Sequence, residues 1–142
     1  MVDYNINTKG TVSERFLDHA NNPRNMGDII NPDGYAENSG ECNDTMAISL
    51  EIRDGKIVEV KFWTNGCGAT IACGSVVTEL AKDNKISEAV NIGASEIILT
   101  LEDIPPENVH CAFLAADTLQ KAIKDYCAKN DKNPKSHKGP MD

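Results

Sequence analysis

Thr45-Met46-Ala47-Ile48-Ser49-Leu50-Glu51-Ile52-Arg53-Asp54-Gly55-Lys56-Ile57-Val58-Glu59-Val60-Lys61-Phe62-Trp63 is the stretch whose reading decides the fold. Met46, Ile48, Leu50 and Ile52 alternate with Thr45, Ala47, Ser49 and Glu51. Beyond the break, Val58, Val60 and Phe62 alternate with Glu59, Lys61 and Trp63. A period of two is the signature of a strand with one face buried. Asp54-Gly55 between the runs suits a tight hairpin turn, because both residues tolerate positive φ. Trp63 falls on the outer face. The inner, apolar face must be covered, and helices are the available cover.

The flanking sequence supplies those helices. Upstream, Thr11-Val12-Ser13-Glu14 has the pattern of a capping box and predicts a short helix to about Ala20. Pro23 stops it, since the residue before a proline avoids helical geometry. Met26 to Asp44 reads as loop, with a weak strand near Tyr35–Glu37. Downstream, Ile71, Val76, Val77 and Leu80 predict a helix from Ala69 to about Lys82, and a short one follows from Ser87 to Ile92. Ser95 to Leu101 fits helix or strand. Ile104-Pro105-Pro106 forces an extended break. Val109, Ala112, Phe113, Ala116, Leu119, Ile123 and Tyr126 then mark the longest helix, to about Lys129. The expected class is α+β: a flexible N-terminus over 1–10, one domain over 11–129, and a disordered polar tail over 130–142.

Composition narrows the function. Apolar residues make up 40% and charged residues 25% of the 142, enough for one domain with a core. The net charge of −8 opposes phosphate backbones and anionic lipid, so neither nucleic acid nor membrane is an expected partner. No apolar run reaches the ~18 residues of a membrane span. The first ten residues resemble neither an export signal nor a transit peptide. Five cysteines in such a chain point to a reducing cytoplasm and to free or metal-bound thiols rather than disulfides.

Three of the cysteines stand in unusual settings: Cys42 in Gly40-Glu41-Cys42-Asn43-Asp44, Cys67 in Asn65-Gly66-Cys67-Gly68, and Cys111 in Val109-His110-Cys111. Cys42 precedes the first hairpin strand and Cys67 follows the second. An antiparallel hairpin therefore brings them to one sheet edge, although 24 residues lie between them. Cys111 begins the last helix, where free amides and the helix dipole favour a thiolate. Converging thiolates suit a soft metal or cluster, and Asp44 and His110 compete for a fourth position. Cys73, among Ile71, Ala72 and Val76, reads as core, and Cys127 as a partly buried thiol without a role.

These residues resemble the U-type iron–sulfur cluster assembly scaffolds, the family of IscU and the N-terminal domain of NifU. Asn22-Pro23-Arg24-Asn25-Met26-Gly27 is similar to the family's Asn-Pro-Arg-Asn-Val-Gly, and Cys42-Asn43-Asp44 to its Cys-Gly-Asp. Gly66-Cys67-Gly68-Ala69, His110-Cys111 and Leu114-Ala115-Ala116-Asp117 match as well, so the resemblance runs from about Val12 to Tyr126. It implies a small three-stranded antiparallel sheet covered by about four to six helices. It implies a non-catalytic scaffold on which a labile [2Fe–2S] cluster is built, with zinc in its place after purification in air. By matching position, Cys42, Cys67 and Cys111 would be the ligands, and Cys111 would accept sulfur from a cysteine desulfurase. Asp44 would keep the cluster labile, a hard oxygen among soft sulfurs. His110 would be an alternative ligand or proton partner.

Implied partners are the desulfurase, an iron donor and acceptor apo-iron–sulfur proteins. The family's Gly between Cys and Asp is Asn43 here, a residue that tolerates left-handed geometry. Its Leu-Pro-Pro-Val-Lys motif stands as Ile104-Pro105-Pro106-Glu107-Asn108, which puts docking of a dedicated Hsp70-type chaperone in doubt. A competing expectation is a zinc-bound sulfur acceptor of the SufU type. Those proteins carry an insertion between the second and third cysteines and lack the histidine. Here 43 residues separate Cys67 from Cys111 and His110 is present, which favours the scaffold. A purely structural zinc domain is disfavoured by Asp44 and by a core that forms without metal.

Overall fold

The structure, a computed structural model, describes residues 12–40 and 43–130. The hairpin forms, and a third strand joins it: β1 (Gly34–Ser39), β2 (Thr45–Arg53) and β3 (Lys56–Thr64) lie in the order β1-β2-β3, antiparallel throughout. At the turn Asp54 has φ +53° and Gly55 φ +75°. Two left-handed residues give the turn whose twist matches the strands. The weak strand expected near Tyr35–Glu37 is β1, extended at both ends and paired Tyr35 to Ser49 and Glu37 to Ala47.

The alternation slips once. Glu51 pairs with Glu59 but Ile52 with Ile57, so Val58 is an extra residue opposite the partner strand. Such a bulge re-aims its neighbours. Ile57 is fully buried and Val58 only half-buried, whereas strict alternation places Val58 inward.

The helices pack on the apolar face. α1 spans Glu14–Asn21, and its cap is Ser13, not Thr11: the Phe16 amide donates to Ser13 Oγ at 2.9 Å. Thr11 lies outside the described residues. α2 (Gly68–Ala81) is buried along most of its length, as a helix apolar on several sides must be. It rides close on the sheet at Gly74, where a Cβ would come within 2.5 Å of the Phe62 ring. α3 is Ile86–Ala89, and the ambiguous segment is a helix, α4 (Ala94–Thr100). The Gly93 amide donates to Glu96 Oε1, closing the start of α4. Ile97 and Leu101, one turn apart, are buried, while Leu99 is 75% exposed.

The proline break is shorter than expected. Pro105 is extended, but Pro106 already opens a 3-10 turn to Asn108 that runs into α5 (Val109–Asn130). α5 packs against β1, β2, α2 and α4. Asn130, assigned from sequence to the tail, is the last residue of α5. The expectations for 1–10 and 131–142 fall outside the described residues. Among the described residues, no helix is long and apolar enough to cross a membrane.

The Asn-Pro-Arg-Asn segment guards the outer edge of β3. The Phe62 amide donates to Asn25 O, and the Gly27 amide to Phe62 O. Arg24 N donates to Ser75 Oγ and Asn25 Nδ2 to Thr78 Oγ1, tying the same segment to α2. Covering an edge strand in this way blocks pairing with another chain.

Candidate metal centre

The open end of the hairpin is stitched shut by short polar contacts. Thr64 Oγ1 donates to Thr45 O at 2.6 Å, and the Thr45 amide donates to Asn65 Oδ1 at 2.9 Å. The Gly66 amide donates to Thr64 Oγ1 at 3.1 Å. These contacts hold Asp44, just before β2, beside Cys67, which is the N-cap of α2. Asn43 adopts φ +66°, so it takes the left-handed geometry that the glycine-to-asparagine difference demanded. Across the gap, the 3-10 turn sets the register of α5, so that Cys111, its third residue, faces the same place.

Five described side chains meet there. Thr70 Oγ1 donates to Asp44 Oδ2 at 2.8 Å. The same hydroxyl lies 3.4 Å from Cys111 Sγ and 3.7 Å from Cys67 Sγ. His110 Nε2 lies 3.7 Å from Cys111 Sγ. One ligand atom each from Asp44, His110 and Cys111 fall within 4.8 Å of one another. Around a single tetrahedral zinc, ligand atoms stand about 3.3–3.8 Å apart, so a small inward shift would suffice. Thiols, a carboxylate and an imidazole so placed fit a zinc ion, or iron bound through sulfur. Cys42, the remaining expected ligand, lies outside the described residues.

The two described thiols of the site share a proton unequally. The side-chain hydrogen bond from Cys111, helped by the Thr70 amide and hydroxyl and the Ala69 amide, lowers the Cys67 pKa to about 5 against the cost of burial. Donating to Cys67, together with its own burial, pushes the Cys111 thiol far up. Without metal the thiolate is therefore Cys67, at the start of α2, and not Cys111 at the start of α5. The reason is position: Cys67 is exposed and caps a helix, while Cys111 is fully buried within the first turn of its own. Cys73 is buried as expected, with its pKa raised to about 12 by desolvation and by the charge of Cys67. Cys127 is half-buried on α5.

Two residues of this site escaped the sequence reading. Thr70 lies against three of its members, Asp44, Cys67 and Cys111, and its only signal was a hydroxyl three residues after Cys67. Gly66 entered that reading only as a neighbour of Cys67 in its motif. Its real constraint is Thr70: a Cβ there would lie 2.6 Å from Thr70 Oγ1.

A three-stranded sheet with helices on one face, presenting thiols, a carboxylate and an imidazole at one end, is an α+β domain with a candidate metal site. The profile of the NifU-like N-terminal domain matches residues 11–133, and the chain belongs to that family. It is 41% identical over 121 residues to iron-sulfur cluster assembly scaffold protein IscU 1 of Archaeoglobus fulgidus, covering 84% of this chain and 79% of that one. It is 39% identical over 127 residues to the scaffold protein IscU of Escherichia coli K12, covering 84% and 96%. The crystal structure of a nitrogen-fixing NifU-like protein (N-terminal) from Brucella abortus has the same fold, at TM-score 0.64 and 18% identity over 82% of this chain and 94% of that one.

Proposed function

We propose that this chain is a scaffold and carrier on which an iron–sulfur cluster, of the [2Fe–2S] type, is assembled and from which it passes to acceptor apoproteins. The observation that carries the reading is the meeting of Asp44, Cys67 and Cys111 around the Thr70 hydroxyl, with His110 against Cys111, at the open end of the hairpin. The names of the relatives support it. In this reading the cluster is cargo, held by Cys42, Cys67 and Cys111. Asp44 supplies a weakly held oxygen, with His110 as the alternative fourth ligand.

Sulfur comes from the persulfide of a cysteine desulfurase. The acceptor thiolate attacks the outer sulfur, an S–S bond forms to it, and the donor's cysteine leaves as thiolate. One of the site cysteines takes this sulfur, Cys111 by its match to the family; its thiol must first lose its proton, since the thiolate of the metal-free site is Cys67. In this reading the protein works in the cytoplasm, and protein prepared in air carries zinc or no metal.

Anaerobic reconstitution with iron and sulfide, read by visible absorption, tests the scaffold. The Asp44→Ala variant is expected to transfer its cluster to an apo-ferredoxin more slowly than wild type, and to lose its colour more slowly in air. Zinc retention with no uptake of iron and sulfide would replace the scaffold by the zinc-bound sulfur acceptor.

A further inference from the structure

Among the described residues, Thr70 is the side chain whose hydroxyl reaches Asp44, Cys67 and Cys111 together. It is fully buried, on the first turn of α2, and it leans against Gly66, where no side chain larger than hydrogen fits beside it. A threonine hydroxyl has one proton and two lone pairs. The proton is committed to Asp44, the strongest acceptor in reach, at 2.8 Å. When a metal is bound both sulfurs are thiolates, which accept hydrogen bonds and do not donate them. With one proton to give, the hydroxyl keeps its shortest contact, the bond to Asp44.

Resting on the metal-site reading above, we propose that Thr70 is the positioning residue for Asp44. Its hydroxyl holds one carboxylate oxygen and leaves the other to face the metal, and Gly66 supplies the space that keeps the hydroxyl there. A residue that orients a ligand in this way typically changes metal affinity about 10–100-fold when removed.

Zinc affinity, measured by competition with a chromophoric chelator, tests this, with the cobalt(II) visible spectrum as a second reading of geometry. Thr70→Val keeps the shape and removes the hydroxyl. It is expected to weaken zinc about 10–100-fold and to alter the cobalt bands, while Thr70→Ser stays within about threefold of wild type. In an Asp44→Ala background, Thr70→Val is expected to cost nothing further, because its ligand is gone. Wild-type affinity in Thr70→Val, or an equal loss with Asp44 absent, overturns the proposal. Cys67→Ala and Cys111→Ala are the controls on the underlying reading: if both keep zinc, the metal site itself is wrong and Thr70 has nothing to position. If Thr70→Val does not fold, Thr70→Ala is measured against the same expectations.

Discussion

Cys67 and Cys73 lie on one helix, under two turns apart, and each is followed by glycine. Their chemistry is opposite. Cys67 sits exposed at the mouth of α2, with its pKa near 5. Cys73 is buried in the body of the helix, with its pKa near 12. The local sequence hardly distinguishes them. The difference is made by which end of the helix each occupies and by what α5 brings across the gap. The mouth is built for reactivity, and the body for packing.

The largest expected contrast is in alkylation of metal-stripped protein. At pH 7 the thiolate fractions differ by roughly 10⁵, and the weaker nucleophilicity of a low-pKa thiolate takes back about three powers of ten. Iodoacetamide should therefore label Cys67 at least about 100-fold faster than Cys73, with burial widening the gap. Mass spectrometry of labelled peptides reads it. The Cys67 rate should be flat from pH 8 to pH 6 and halve near pH 5. A Cys67 rate that climbs steadily to pH 9 removes the contrast.

Metal retention should divide the same way. Cys67→Ala and Cys111→Ala are expected to lose zinc affinity by more than about 100-fold, the upper end of what an outer-shell change costs. Cys73→Ala should keep its affinity within a few-fold and lose about 1 kcal/mol of stability instead. Competition titration and thermal melts separate the two effects.

The paired glycines sharpen the division. At Gly74 a Cβ meets the Phe62 ring at 2.5 Å and Met46 at 3.1 Å, so Gly74→Ala should cost about 1–3 kcal/mol of stability through overpacking, with metal affinity less changed. At Gly66 the three atoms nearest a Cβ all belong to the Thr70 side chain, at 2.6–2.8 Å. Gly66→Ala should weaken zinc more than it lowers the melting temperature. Equal behaviour of the two variants would erase the distinction between mouth and body.

The smallest effect lies beneath α1. His19 is buried with Nδ1 2.7 Å from Ser75 Oγ, and burial, then the charge of Arg24, lowers its pKa below 6.5. In this window the unfolded chain binds the proton more readily, so stability falls as pH drops through 6.5 and below. The drop in melting temperature between pH 7.5 and 5.5 should be smaller in His19→Gln than in wild type. An unchanged difference assigns the acid sensitivity elsewhere.

Much of this arrangement was legible in the chain. Alternation and Asp54-Gly55 specified the hairpin, because side-chain period and turn geometry are local properties. Hydrophobic spacing gave α2 and α5 for the same reason. The hairpin alone also brought the start of β2 and the end of β3 together, where Asp44 and Cys67 stand; its expected pairing of Cys42 with Cys67 lies outside the described residues. What failed was also local in origin but decided by neighbours. Val58 changed sides at a bulge that alternation cannot show. Ser95 to Leu101 became helix once Glu96 could close on Gly93.

Only the tertiary structure decided the state of the thiols and the part of Thr70. A thiol's charge depends on burial and on hydrogen bonds from residues distant in the chain, here a contact between the first turns of α2 and α5. Spacing marks where a ligand stands, but it does not say which sulfur carries the proton, nor that one buried hydroxyl and the glycine making room for it lie among them all.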